Sequence, residues 1–440
     1  MEGDDKMSET TSTSANVFNN RNFRLIFFGS VISEIADILD SFALGFYILE
    51  ITNNNAFLQG LFLALGSGAA MLITPIGGVF GDRFNKVRII YLCDYIRGAL
   101  TIAAAIMMIV FQNPQKHVVI LFILGTLSDL IRGFFSPASS ALLPEIVSDD
   151  LLQQANSFFT VKSSLNSIIG VVLAGILYSV LPVHVLFFAV GICYILTGIS
   201  EMFIKYDFKP KEEAMSVKLV FSDMKDGLIY LRGKKAIIVF MGCILLINFF
   251  FNPIGGNFLP YFIATDLSSA PSYLLDKILS PEMWSSVISV LLAVFTLLGA
   301  LALSTGNEEE KVGHKVSFRT LLFSLATTVL CACYGILVMA GKGINIYLIV
   351  LALGSAFIGW ILPSINIPIS TAIMKIIDSD MLSKVMGLIS VLSQGLVPVS
   401  SLIGGAVIQK WGCLPLLAGC SAGLLAVSAY MLMSRDIKDV

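Results

Sequence analysis

The feature that most constrains this chain is a recurrence of apolar runs, each about 20 residues long, over nearly its whole length. Runs of that length with few charges can cross the hydrocarbon core of a bilayer. Backbone N–H and C=O groups find no water there, so each run must satisfy its own hydrogen bonds as a helix. A transmembrane barrel would need shorter segments of alternating polarity, and these runs are continuous. Only 13% of the residues are charged, against about 25% in a soluble domain. The mean hydropathy of +0.86 agrees. The expectation is an all-α membrane protein.

Spans are predicted at 23–49, 56–80, 88–111, 117–143, 157–181 and 183–204, then at 236–264, 284–305, 317–340, 344–371, 381–409 and 413–433. Residues 1–22 are polar and read as a disordered tail, with no signal-peptide pattern. They precede a six-helix unit over 23–204. A linker follows at 205–235, then a second six-helix unit over 236–433 and a short tail at 434–440. Within the linker, Val217, Val220, Phe221, Met224, Leu228 and Leu231 fall at helical spacing, as in an amphipathic helix lying on the membrane surface.

Charge sets the orientation. By alternate loops, 21 of the 28 Lys and Arg fall on one side, four (Lys116, Lys277, Lys342 and Lys410) on the other, and three within spans. The positive-inside rule then places both termini and the linker in the cytoplasm of a multi-pass protein of the cell membrane. The bias supports an even span count, since a misplaced span would scramble this alternation. An internal repeat points to two halves. Pro137, Ser139, Ala141, Ile146, Ser148, Asp149 and Leu151 recur as Pro368, Ser370, Ala372, Ile377, Ser379, Asp380 and Leu382. Repeated halves with a site at their interface characterise alternating-access transporters.

Between the second and third spans lies Gly78-Val-Phe-Gly-Asp82-Arg83-Phe-Asn85-Lys86-Val-Arg88. Gly78 can let two helices approach closely, Asp82 can meet a helix N-terminus or a cation, and Arg83, Lys86 and Arg88 hold the loop at the cytoplasmic face. It is either an ordinary basic loop or a gate. The segment resembles the signature loop of the major facilitator superfamily, Gly-x3-Asp-Arg-x-Gly-x-basic-basic. It departs at Asn85, where Gly is usual and where Asn can adopt a left-handed turn, and at Val87, where a basic residue is usual. The first span, Asp94-x-x-Arg97, FFSPASSALLPEIV and MKDGLIYLR are similar to the macrolide-efflux-like drug exporters of bacteria. The resemblance implies a twelve-helix fold, two six-helix bundles related by a pseudo-two-fold axis, working as a monomer. Ser128 stands where the superfamily's span-4 Arg is usual, and the fifth span lacks the antiporter Gly-Pro pattern. The matching loop of the second half has lost the signature.

Charges inside spans cost about 2.5–3.5 kcal/mol at the bilayer centre, so each implies a partner or a polar cavity. Glu34, Asp37 and Asp40 share one face of the first span. Asp37 suits proton coupling, contact with a cationic substrate, or an ion pair. Asp94 with Arg97, and Asp129 with Arg132, are spaced to pair along a helix. Asp129 and Glu34 join Asp37 as candidates for proton coupling. Lys162 is expected to snorkel to the interface. The second half offers neutral groups instead: Asn248, Asn252 and Asn257, Asn366 and Gln394. Asp37, Arg132, Asn248, Asn252, Asn366 and Gln394 are the candidate substrate contacts. Pro253 with Gly255-Gly256, and Pro363 with Pro368, should interrupt their helices.

The seven Cys and three His are scattered, so no metal site, cofactor or enzyme nucleophile is expected, and nothing points to nucleic acid. The expected partners are a small-molecule substrate, protons and the lipid bilayer. The chemistry implied by the resemblance is export of small amphipathic or hydrophobic compounds by proton antiport. An importer, a lipid-type exporter and a non-transporting receptor or scaffold remain open.

Overall fold

A computed structural model describes residues 16–208, 234–304, 312–341, 343–377 and 393–434, with isolated positions at 222–232, 381–391 and 437. The side chains of a few further residues, Asp82 and Arg83 among them, lie outside the description. Most of the amphipathic segment at 216–232 and the end of the second repeat copy also lie outside it.

The first half is six helices: α1 Arg21–Ile51, α2 Ala56–Arg83, α3 Lys86–Val110, α4 Pro114–Ile146, α5 Asp149–Val180 and α6 Val183–Met202. In the second, α7 (Lys235–Pro253) continues through a π-turn (Ile254–Phe258), the short α8 (Leu259–Phe262) and a second π-turn (Ile263–Leu267). Then come α9 (Pro281–Ser304), α10 (Val312–Cys333) with its own π-turn (Tyr334–Val338), α11 (Ile344–Ile376), α12 (Val397–Trp411) and α13 (Cys413–Met433). No strand occurs among the described residues. Ten spans among them are long and apolar enough to cross a membrane. Helix α1 falls short because three acids sit within seven residues of it, and α12 because it is 15 residues long, starting after a turn at Leu396.

Asn side chains set several helix starts. Asn20, Asn55 and Asn113 accept backbone N–H groups at the starts of α1, α2 and α4, satisfying donors that a helix leaves unpaired. Asn85 does the same for α3, accepting from Arg88 N at 3.2 Å. Its φ of −59° is not left-handed, so this Asn serves as a cap and not as a stand-in for a turn glycine. Residues 16–22 are not a loose tail. Val17 is buried, its N–H donates to Gln154 Oε1 at 2.8 Å, and Asn20 Nδ2 donates to the Ile146 carbonyl at 2.7 Å.

The two halves pack alike. In the first, α3 lies on α6 and α4, α2 on α4, and α1 on α5 and α6. In the second, α10 lies on α13 and α11, α9 on α11, and α7 on α12 and α13. This is the same set of neighbours, shifted by six spans, as a pseudo-two-fold axis requires. The halves meet along two seams, α2 with α12 and α5 with α9, which that axis exchanges.

Helix interruptions divide unequally. Pro253 ends α7, and the Gly255-Gly256 pair falls in its π-turn. Such turns insert one residue into the ladder and often mark functional segments. Pro363 and Pro368 lie inside α11, which runs on without a break. The expected interruption of that helix does not occur.

Candidate functional site

Near mid-length of α1, α3 and α6 three side chains converge. Arg97 Nη2 donates to Asp37 Oδ1 in a tight ion pair. It also lies 2.7 Å from the Tyr194 hydroxyl, which itself donates to Asp37 Oδ1 at 2.6 Å. The guanidinium carbon sits 4.1 Å above the Tyr194 ring, a cation–π contact that desolvation strengthens. Arg97 is 4% exposed at its side chain and Asp37 is 23% exposed, so the carboxylate forms the open edge of the cluster. The pairing expected along α3 is the weaker one: Asp94 Oδ1 is 3.8 Å from Arg97 Nη1. Tertiary packing brings α1 to Arg97, and a short-range spacing rule cannot see that.

Asp40, one turn on from Asp37, lines a cavity of about 20 Å³ with Thr101, Gly125 and Ser128, room for one water-sized molecule. Asp129 and Arg132 form no ion pair. An added Cβ at Gly66 of α2 would stand 2.2 Å from Asp129 Oδ2, so the carboxylate is turned into α2, while Arg132 is exposed.

Lys162 does not snorkel to the interface. Its Nζ is 3.0 Å from Glu34 Oε2, and Ser163 Oγ and Asn166 Nδ2 also donate to that carboxylate, at 2.9 and 2.8 Å. The α1–α5 packing supplies a counter-charge inside the bundle, so the long stem need not seek the surface. Beside it, Thr160, Ser164 and Ser167 run along one face of α5, each donating to the carbonyl four residues back. That face continues to Val171, whose carbonyl accepts from Ser286 Oγ of α9 at 2.8 Å. The hydroxyl row therefore faces the space between the halves. The helical spacing of Ser and Thr carries this row in the sequence, but a hydroxyl, unlike a charge, does not stand out in an apolar span.

That space is closed at one end. Ala56 N donates to Gln409 Oε1 at 2.9 Å, and Asn257 Nδ2 to the Ser401 carbonyl at 3.1 Å. A Cβ on Gly60 would stand 2.5 Å from the Ser401 carbonyl, and one on Gly405 would stand 2.4 Å from that of Ala56. Small residues four apart on both helices permit this approach. Phe46 of α1 and Ala56 of α2 are buried in the apolar core of the second half. Toward the ends of α2 and α12 that lie nearer the termini, the contact thins. Gly68 still meets Pro398. Leu72, one turn further along the same face, is 73% exposed. Among the described residues the two lobes are shut at the end holding the α1–α2 and α12–α13 turns and more loosely apposed at the other, where a Cβ on Gly395 would still stand 3.5 Å from the Met71 methyl.

The sequence profile described as Major Facilitator Superfamily matches residues 26–400. The chain belongs to this superfamily. Relatives include "Uncharacterized MFS-type transporter YkuC" of Bacillus subtilis, 22% identical over 384 residues, covering 84% of this chain and 82% of that protein. "Macrolide efflux protein A" of Streptococcus pyogenes is 22% identical over 292 residues, covering 66% of this chain and 68% of that protein. Among solved structures, the nucleoside transporter NupG superposes with a TM-score of 0.70 at 13% identity, covering 93% and 99% of the two chains. A bacterial homologue of the iron transporter ferroportin, in an inward-facing state, gives 0.68 at 13% identity, covering 94% and 98%. As a superfamily member the chain is a membrane transporter and not an enzyme.

Within this facilitator the signature loop is only partly used as the sequence implies. Gly78 has open space around it, and the close approach belongs to its neighbour. A Cβ on Gly77 would stand 2.5 Å from the Gly133 carbonyl of α4. One residue along a helix turns the side chain by about 100°, enough to move the contact from one glycine to the other. Lys86 is buried and its Nζ is 3.1 Å from Glu145 Oε1 at the end of α4, a carboxylate that also accepts the Tyr206 hydroxyl. Arg88 is exposed.

The candidate polar groups of the second half separate into two kinds. Asn248 Nδ2 donates to the Ser393 carbonyl at 3.1 Å, tying α7 to the segment before α12, and Asn252 Nδ2 donates to Ser401 Oγ of α12 at 2.9 Å. Asn366 and Gln394 are exposed. Two acids were not singled out: Glu201 of α6, fully buried, and Asp266, which accepts the Tyr334 hydroxyl at 2.8 Å.

Proposed function

We propose that this facilitator exports small amphipathic or hydrophobic compounds, of drug or macrolide type, from the cytoplasm in exchange for protons by alternating access. The observation that carries the reading is Asp37, a mid-membrane carboxylate at the edge of the cleft, restrained by Arg97 and Tyr194. Protonation of Asp37 removes the charge that holds the guanidinium, so a proton can loosen the α1–α3–α6 contact. Deprotonation restores it. A group that trades a proton for a tertiary contact is what coupling requires.

The direction rests on two supports. The charge bias assigns the termini to the cytoplasm, so the more loosely apposed end of the bundle is the loading side of an exporter. Relatives carry the names "Macrolide efflux protein A" and "Putative bacilysin exporter BacE", the latter 24% identical over 158 residues. In this reading Glu34 and Asp129 assist Asp37 in handling protons. Arg132, Asn366 and Gln394 meet substrate beside the α5 hydroxyl row. Asn248 and Asn252 hold the walls. Gly78, Asp82, Arg83, Lys86 and Arg88 form the gate that closes when the loosely apposed ends come together, and Gly78 then gains the close neighbour it lacks here. The protein works as a monomer in the cell membrane.

The test is proton-gradient-driven efflux of ethidium and of erythromycin from cells and from proteoliposomes, comparing the native chain with Asp37→Asn. Export that requires the gradient and fails in D37N is the expected result. Gradient-driven export unchanged in D37N removes Asp37 from coupling. Inward movement down the gradient indicates an importer, flipping of labelled lipid a lipid-type exporter, and no movement of any probe a receptor or scaffold.

A further inference from the structure

Behind the Asp37–Arg97 contact, away from the cleft, lie two carboxyls with no hydrogen-bond partner. Asp94 is 0% exposed and Glu201 is 1% exposed, and all four of their oxygens are unpaired. Glu201 lies against α1, where a Cβ on Gly29 would stand 3.8 Å from its Oε1. Helix α6 crosses α3 closely here, a Cβ on Gly198 standing 3.2 Å from the Tyr91 carbonyl.

The charges around the pair can be counted. Arg97 commits Nη2 to Asp37 and Tyr194, leaving Nη1 at 3.8 Å from Asp94. Its Nη1 and Nε have no hydrogen-bond partner. The charges acting on Asp94 are Arg97 and Asp37, and the charge acting on Glu201 is Asp94. Cys93, the Tyr194 hydroxyl and Tyr95, which packs on α6 at Gly198 and donates to Met202 Sδ at 2.8 Å, are the other titratable groups at hand. Asp40 and, on α4, Asp129 and Arg132 act on α1 and not on this pair. One cation therefore serves three carboxyls, and one of them has only a like charge for a neighbour. A buried, unpaired carboxylate is far costlier than a neutral acid, and two carboxyls sharing a site do not both ionise.

We propose that Asp94 and Glu201 form a second protonation site, which holds one proton between them while Arg97 is turned to Asp37. When Asp37 takes a proton from the cleft and releases the guanidinium, Arg97 is free to turn through its unpaired Nη1 and Nε to Asp94 and Glu201. The proton they held then has no reason to stay, and it leaves for the cleft by way of the vacated Asp37 contact. Charge is conserved: one proton enters at Asp37, one leaves the pair, and one guanidinium moves between them. The existence of the bound proton is independent of transport. Its part in coupling rests on the proposed function.

Infrared difference spectroscopy of the full-length protein in lipid, without any substrate, tests the proton directly. A carbonyl stretch of a protonated carboxyl at neutral pH is expected in the native chain. It should be lost in Glu201→Gln, shifted in Asp94→Asn, where the buried Glu201 still has no cation, and weakened in Asp37→Asn, where the freed Arg97 can turn to the pair. Gln stands in for the neutral acid, so E201Q should also keep the native melting temperature. Selective ¹³C labelling of Glu or of Asp carboxyls in the native chain gives the same assignment without any variant. Absence of the band in the native protein at neutral pH overturns the proposal, as does a band that neither E201Q nor D94N, and neither labelling, alters. Failure of ethidium or erythromycin export, with the band present and assigned, overturns the transport reading and leaves the protonation site standing.

Discussion

Arg97 is the residue on which the first half turns. It is buried, bound to Asp37, stacked on Tyr194 and close to Asp94. Removing one partner of a buried pair leaves its charges uncompensated, at a cost of about 3–5 kcal/mol. Arg97→Ala is therefore expected to lower the melting temperature in detergent more than any single surface substitution. Arg97→Lys should recover part of that loss, because a lysine cannot reach two acceptors in one plane. Tyr194→Phe removes a hydroxyl that meets both charges and should cost about 1–3 kcal/mol in the same assay. Equal melting of Y194F and the native chain would mean the hydroxyl does not hold the cluster. Sequence spacing made Asp94 the partner of Arg97, because it compares residues only along one helix. That pair exists at 3.8 Å, and the tighter partner is 60 positions away.

Among the helices, contacts turn on which glycine of a run faces a neighbour. Gly77 meets the backbone of α4 within 2.5 Å of a built Cβ, and Gly78 meets nothing within 4 Å. Gly77→Ala should destabilise by about 1–3 kcal/mol through overpacking. Gly78→Ala should leave the melting temperature of this state unchanged. A reversed order of the two would contradict the packing described here. The motif at the sequence level chose Gly78 and passed over Gly77, since the contact depends on how α2 is rotated against α4. The span ends were more legible. Asn20, Asn55, Asn85 and Asn113 mark helix starts by cap chemistry, and α1 to α4 and α6 begin and end close to the predicted limits, while α5 starts at Asp149, well before the predicted 157. The unbroken α11 is the exception. There Pro363 and Pro368 sit in a helix held by α9 and α10, and tertiary packing outweighs the local break.

At the scale of the whole molecule, the closed end depends on Ala56 and Gly60 against Ser401 and Gly405. A large side chain there cannot fit without separating α2 from α12. Gly60→Leu is expected to shift the population toward the state that is open at this end. The check is labelling of Leu72→Cys by an impermeant maleimide. Leu72 lies one turn from Gly68 on the face that meets α12 and is 73% exposed, while the seven native Cys are buried or half-buried. Labelling should be fast in L72C and slower in L72C combined with G60L. Equal rates would show that the small-residue seam does not set the conformation.

The sequence by itself determined that this is a helical membrane protein of two related halves. Hydrophobic run length and backbone hydrogen bonding leave no other solution in lipid, and a repeat needs only one chain to be seen. It also singled out Asp37, Arg97 and Glu34, because a charge in a span is costly wherever its partner lies. Only the tertiary structure decided the pairings. Asp37 goes to Arg97, Glu34 to Lys162, Asp129 to the space beside Gly66, and Glu201 to a place beside Asp94 with no cation of its own. Each depends on which helices touch and at what rotation. Those are fixed by packing between segments far apart in the chain, which no local period records.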